Sequence, residues 1–144
     1  MFTIRKDGQS DTIHYDEANN LLFAELYSSN QMWIRLAQNK ASNGESGPHI
    51  DIDICNFSGT GVYRIMDPQQ RPCDDDAGPI WDIWWHTEGE IYANTLDSTP
   101  SELRLEVREN RLYGRFYAQK VKKFKGTSEI GIVDGVFESA IVRK

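Results

Sequence analysis

The chain has 144 residues, 39% of them hydrophobic and 26% charged, with a formal net charge of −6. That length suits one domain over residues 1–144, and the balance is too apolar for a disordered chain. The negative field repels phosphate backbones, and the basic cluster Lys120, Lys122, Lys123 and Lys125 is only local, so no nucleic-acid partner is expected. No apolar run approaches the ~18 residues that cross a bilayer. The opening Met1-Phe-Thr-Ile-Arg-Lys6 leads into polar sequence rather than a signal-peptide core. A soluble chain with no transmembrane segment is therefore expected.

In chain order, strands are predicted at Phe2–Arg5, Ile13–Tyr15, Leu21–Tyr27, Met32–Ala37, His49–Asn56 and Gly61–Met66. They continue at Ile80–His86, Glu90–Leu96, Ser101–Val107, Leu112–Val121 and Glu129–Arg143, the last breaking in two at Asp134-Gly135, a dipeptide that favours a turn or bulge. Turn-forming residues separate them at Ser42–Pro48, Ser58–Gly61, Asp67-Pro68, Asp74–Pro79 and Asp97–Pro100. Asp16–Tyr27 competes as a helix, because Ala18, Leu21, Leu22, Ala24 and Glu25 are helix formers at roughly helical spacing. The expected class is all-β, an antiparallel β-sandwich or calycin-like barrel of about 8–11 strands with at most one short helix.

Side-chain alternation assigns faces. Leu103, Leu105 and Val107 alternate with Glu102, Arg104, Glu106 and Arg108. Ile50, Ile52 and Ile54 point to the core, with His49, Asp51, Asp53 and Cys55 opposite. Met32, Ile34 and Leu36 share one face, and Trp33, Arg35 and Ala37 the other. Leu112, Gly114, Phe116 and Ala118 point inward, leaving Tyr113, Arg115, Tyr117 and Gln119 outside.

The run His49-Ile-Asp-Ile-Asp-Ile-Cys-Asn-Phe-Ser-Gly-Thr-Gly-Val-Tyr-Arg-Ile65 leads a strand into Gly-x-Gly-x-Tyr. With the later Gly114-Arg-Phe-Tyr-Ala118 and Asp134-Gly-Val-Phe137, it resembles a family of small Bacteroidetes lipoproteins of unknown function, over Leu22 to Val142. The resemblance implies a sandwich-like or calycin-like fold and a periplasmic or outer-membrane setting for a mature lipoprotein fragment. The chain departs from such precursors in showing no signal peptide and no lipid-accepting Cys near its start, and without that setting a cytoplasmic location is expected. The family supplies no catalytic residues.

The densest candidate for chemistry is Pro79-Ile-Trp-Asp-Ile-Trp-Trp-His86. As a strand it sets Trp81, Ile83 and Trp85 on one face and Ile80, Asp82, Trp84 and His86 on the other. If the first face enters the core, Trp84 is presented between Asp82 and His86. A flat indole flanked by hydrogen-bonding side chains suits stacking on a sugar ring. The expected ligand-binding residues are therefore Trp84, Asp82, His86 and, from the next strand, Tyr92. The plainer alternative is that Trp84 simply packs.

Other constellations carry less. Asp74-Asp75-Asp76, with Asp67, Asp51 and Asp53, invites a calcium reading but matches no calcium-loop spacing, and a solvated acidic loop explains it. His14, His49 and His86 have no zinc-binding spacing, and no nucleophile or phosphate-cradling motif is present. No catalytic residue, metal or cofactor is expected. Cys55 and Cys73 form either one bridge or a buried thiol and an incidental one. The functional expectation is a non-catalytic binding domain for carbohydrate or a small ligand on an aromatic-lined face. The alternative is a protein-binding module, such as an inhibitor or toxin-immunity partner.

Overall fold

The computed structural model describes residues 2–6, 9–15, 22–28, 30–37, 49–65, 78–87, 90–95, 98, 100–124, 126 and 129–143. The strands are β1 (Phe2–Lys6), β2 (Gln9–Tyr15), β3 (Leu22–Leu26), β4 (Met32–Ala37), β5 (His49–Cys55) and β6 (Gly61–Ile65). They continue with β7 (Ile80–Thr87), β8 (Glu90–Ala93), β9 (Glu102–Arg108), β10 (Arg111–Lys123) and β11 (Glu129–Arg143). All lie in one sheet, ordered β2-β1-β11-β3-β4-β5-β7-β6-β9-β10-β8, and a further β10–β11 pairing joins the two arms. The result is a closed eight-stranded barrel, the calycin-like alternative of the two architectures expected. Closure leaves no free edge within the ring. Among the described residues no helix is long and apolar enough to cross a membrane.

The alternation read from the sequence sets the interior. Ile50, Ile52 and Ile54 stand opposite Trp85, Ile83 and Trp81 on β7, and opposite Leu36, Ile34 and Met32 on β4. All nine are buried. Leu103, Leu112, Phe116 and Val133 complete the core from the other side of the barrel. Each such side chain contributes about 1.5–3 kcal/mol by leaving water.

The structure corrects several expectations. β11 runs unbroken through Asp134-Gly135, because both residues are paired on both edges, with Tyr117 and Phe116 on β10 and with Arg5 and Ile4 on β1. A strand laddered on two sides has nowhere to turn. The helical alternative over Asp16–Tyr27 fails at Leu22–Leu26, a strand held between β4 and β11, and its first residues lie outside those described. Pairing overrides local helix propensity there. The sheet is not purely antiparallel, since β3–β11 and β6–β7 run parallel. The expected strand through Leu96 ends at Ala93.

That ending has a structural cause. β7 pairs with β6 only at Ile80–Trp81 and with β8 only from Trp84 onward, while β10 passes from β9 at Tyr117 to β8 at Lys122. Each change of partner strands backbone groups that must be satisfied inside the protein. The segment after β8 does this with side chains. Asn94 Oδ1 accepts the Ile83 N–H at 2.9 Å, Ser101 Oγ accepts the Gln119 N–H at 3.0 Å, and Ser98 Oγ donates to the Lys120 carbonyl at 3.3 Å. Asn94, Ser98 and Ser101 are buried accordingly. Lys120 takes φ 54° as the extra residue of a β-bulge between Gln119 and Val121. Cys55, at the end of β5, is disulfide-bonded, and Cys73 is the chain's other cysteine.

Candidate functional site

With the isoleucines of β5 turned inward, His49, Asp51 and Asp53 must point outward, as must Trp33 and Arg35 of β4 and Asp82, Trp84 and His86 of β7. The register sets Asp51 beside Arg35 and Trp84, and His49 beside His86. One carboxylate organises this face. Asp51 Oδ1 accepts from Trp33 Nε1 at 3.1 Å and from Arg35 Nε at 2.7 Å, and Oδ2 accepts from Arg35 Nη2 at 2.9 Å. The Nε2 atoms of His49 and His86 stand 3.9 and 3.7 Å from the same Oδ2.

Planar groups surround it. The imidazoles of His49 and His86 stack at 4.3 Å with 12° between planes. The Arg35 guanidinium lies 4.8 Å over the Trp33 ring, which Phe23 meets edge-on at 5.0 Å. On the far side Trp84 packs against Phe124 at 5.6 Å, and Phe124 is 49% exposed. Asp51 and its arginine, tryptophan and histidine neighbours sit on three adjacent strands, β4, β5 and β7, so the sheet ladder rather than a loop holds their geometry.

Charge coupling follows from this packing. Burial alone would raise the Asp51 carboxyl, but the hydrogen bonds and charge of Arg35, the Trp33 N–H and His49 hold it below its ordinary value. Burial, together with the neighbouring His49 and Arg35, depresses the His86 imidazole against the pull of Asp51. Arg35 is correspondingly raised by its hydrogen bonds to Asp51. The carboxylate is thus ionised and paired, and it orients its neighbours rather than acting as an acid.

The four sequence-predicted ligand residues do not share a face. Trp84 and His86 lie on the outer face, both half-buried. Asp82 points the same way but is fully buried, so it is not a surface contact. Tyr92 pairs with Trp85, packs its ring against the core and donates its hydroxyl to Glu90 Oε2 at 2.7 Å, with Lys123 Nζ donating to Glu90 Oε1 at 3.0 Å. It belongs to the inner side of the sheet, away from Trp84. The residues that do gather round Trp84 and His86 are Trp33, Arg35, His49, Asp51 and Phe124, which no local motif assigns to the site. Asp67 and Asp74–Asp76, read as a solvated acidic loop rather than a calcium site, lie outside the described residues.

What the face offers chemically is a row of flat surfaces with one fixed carboxylate and two imidazoles, suited to holding a ligand. Searches of family models, curated proteins and solved structures gave no match to the chain.

Proposed function

We propose that the protein is a non-catalytic binding domain whose outer β4–β5–β7 face takes a carbohydrate or another small ring-bearing ligand. The observation that carries this reading is the neighbourhood of Trp84: a half-buried indole, an exposed Phe124 and a stacked imidazole pair around one hydrogen-bonded carboxylate. Flat faces supply stacking area, while polar atoms fixed in the sheet supply orientation at little entropic cost. The protein-partner alternative asks for an acid-rimmed aromatic patch, whereas Phe124 follows Lys120, Lys122 and Lys123. The disulfide at Cys55 supports an oxidising compartment, in line with the cell-envelope setting of the lipoproteins the sequence resembles.

The test compares wild type with Trp84→Ala on a glycan array, followed by calorimetry on the best glycan. The expected result is at least a tenfold weaker affinity in the variant, with its far-UV spectrum unchanged and its melting temperature within a few degrees of wild type. Retained affinity, or collapse of the fold, would show that Trp84 is a packing residue and end the reading.

A further inference from the structure

We propose that His49, Asp51 and His86 form a binding site for a first-row divalent transition metal, of the zinc, nickel, cobalt or copper class, on the outer face of the barrel. One donor atom from each residue lies within 4.8 Å of the other two. The two Nε2 atoms converge on a single carboxylate oxygen, Asp51 Oδ2, from 3.9 and 3.7 Å. Tetrahedral bonds of about 2.0–2.1 Å set neighbouring ligand atoms about 3.3 Å apart. The two histidine–carboxylate contacts therefore each need to close by about half an ångström, and the histidine–histidine separation, which lies within 4.8 Å, by at most about 1.5 Å. The imidazoles lie stacked, with 12° between planes, and must turn about their Cβ–Cγ bonds to aim both nitrogens at one ion. That torsion is broad for histidine.

The remaining structure supports a site of this kind. His49 and His86 are directly paired residues of β5 and β7, so their backbones are fixed relative to each other. Asp51 is held by Trp33 and Arg35 through the same outer hydrogen bonding that orients carboxylate ligands in metal centres. Two imidazole nitrogens and one carboxylate oxygen select borderline transition metals over calcium or magnesium, which prefer oxygen donors. The His86 side chain is 34% exposed, leaving the outer side of the site open to water as a further ligand. The Arg35 charge opposes the cation, which sets the expected affinity in the micromolar rather than the nanomolar range. The site shares His49, Asp51 and His86 with the carbohydrate reading, but the two are tested separately, because Trp84→Ala leaves all three metal ligands in place.

The experiment titrates chelator-treated protein with Zn²⁺ by calorimetry and with Co²⁺ by visible absorption. One site per chain is expected. Affinity should fall at least tenfold in both His49→Ala and His86→Gln, and remain unchanged in His14→Ala, which removes the chain's third histidine. In the wild-type protein, Zn²⁺ should shift the imidazole ¹⁵N signals of His49 and His86 and leave those of His14 in place, a readout that does not depend on any variant folding. Absence of saturable binding, full affinity in His86→Gln, or a zinc-induced shift confined to His14 would overturn the proposal.

Discussion

Gly114 shows how tightly β10 and β11 are fitted in the interior. It stands directly opposite Phe137 on β11, and a Cβ built on it would lie 2.1 Å from Phe137 Cζ. The missing side chain is the space the phenyl ring occupies, and both residues are in the interior. Gly114→Ala should therefore destabilise the protein by about 1–3 kcal/mol in urea unfolding, the range for overpacking a filled core. Shrinking the ring in the double variant Gly114→Ala/Phe137→Leu should recover part of that loss. An unchanged unfolding midpoint in the single variant would mean that the ring lies elsewhere. The sequence marked both residues, at the start of Gly114-Arg-Phe-Tyr-Ala118 and the end of Asp134-Gly-Val-Phe137, but not that one fills the other's vacancy. That depends on cross-strand register, which no local pattern encodes. The same holds for His49 and His86, distant in sequence and without zinc-binding spacing, yet ring against ring in the sheet.

Between elements, Asn94, Ser98 and Ser101 do what a strand would do elsewhere. They close the wedge where β7 and β10 exchange partners, using hydroxyls and an amide in place of a backbone ladder. Asn94→Ala would leave the Ile83 N–H without its side-chain acceptor in a buried place. The expected loss is about 1–3 kcal/mol of unfolding free energy, the usual penalty for an orphaned buried donor, measured by urea denaturation. A loss below a few tenths would show that water replaces the amide there. The sequence placed most strands within a residue or two, because alternation of apolar and polar side chains is local. It failed at Asp134-Gly135 and left Leu22–Leu26 undecided between strand and helix, because there neighbouring strands impose extension on residues that favour a turn or a helix. Those outcomes are decided by partners, not by the segment itself.

At the scale of the whole molecule, the decisive step is that β5 skips its successor in sequence and pairs with β7, while β6 crosses to join β9. The all-β class and the inward faces of β4, β5, β7 and β10 followed from composition and alternation. The non-sequential order did not, and with it went most of the outer site: Trp84 and His86 were legible as outward-facing, but Asp51, His49 and Arg35 join them only through this pairing. Tyr92 was misplaced beside Trp84 because β8 presents it inward, toward Trp85. The barrel, the carboxylate-centred face and both functional inferences rest on the β5–β7 ladder. A nuclear Overhauser spectrum of the labelled protein tests it most directly. Cross-strand contacts should link His49 with His86 and Asp51 with Trp84, including contacts between the two imidazole rings. Contacts from β5 to Gly61–Ile65 in their place, with none between His49 and His86, would contradict the pairing and dissolve the site.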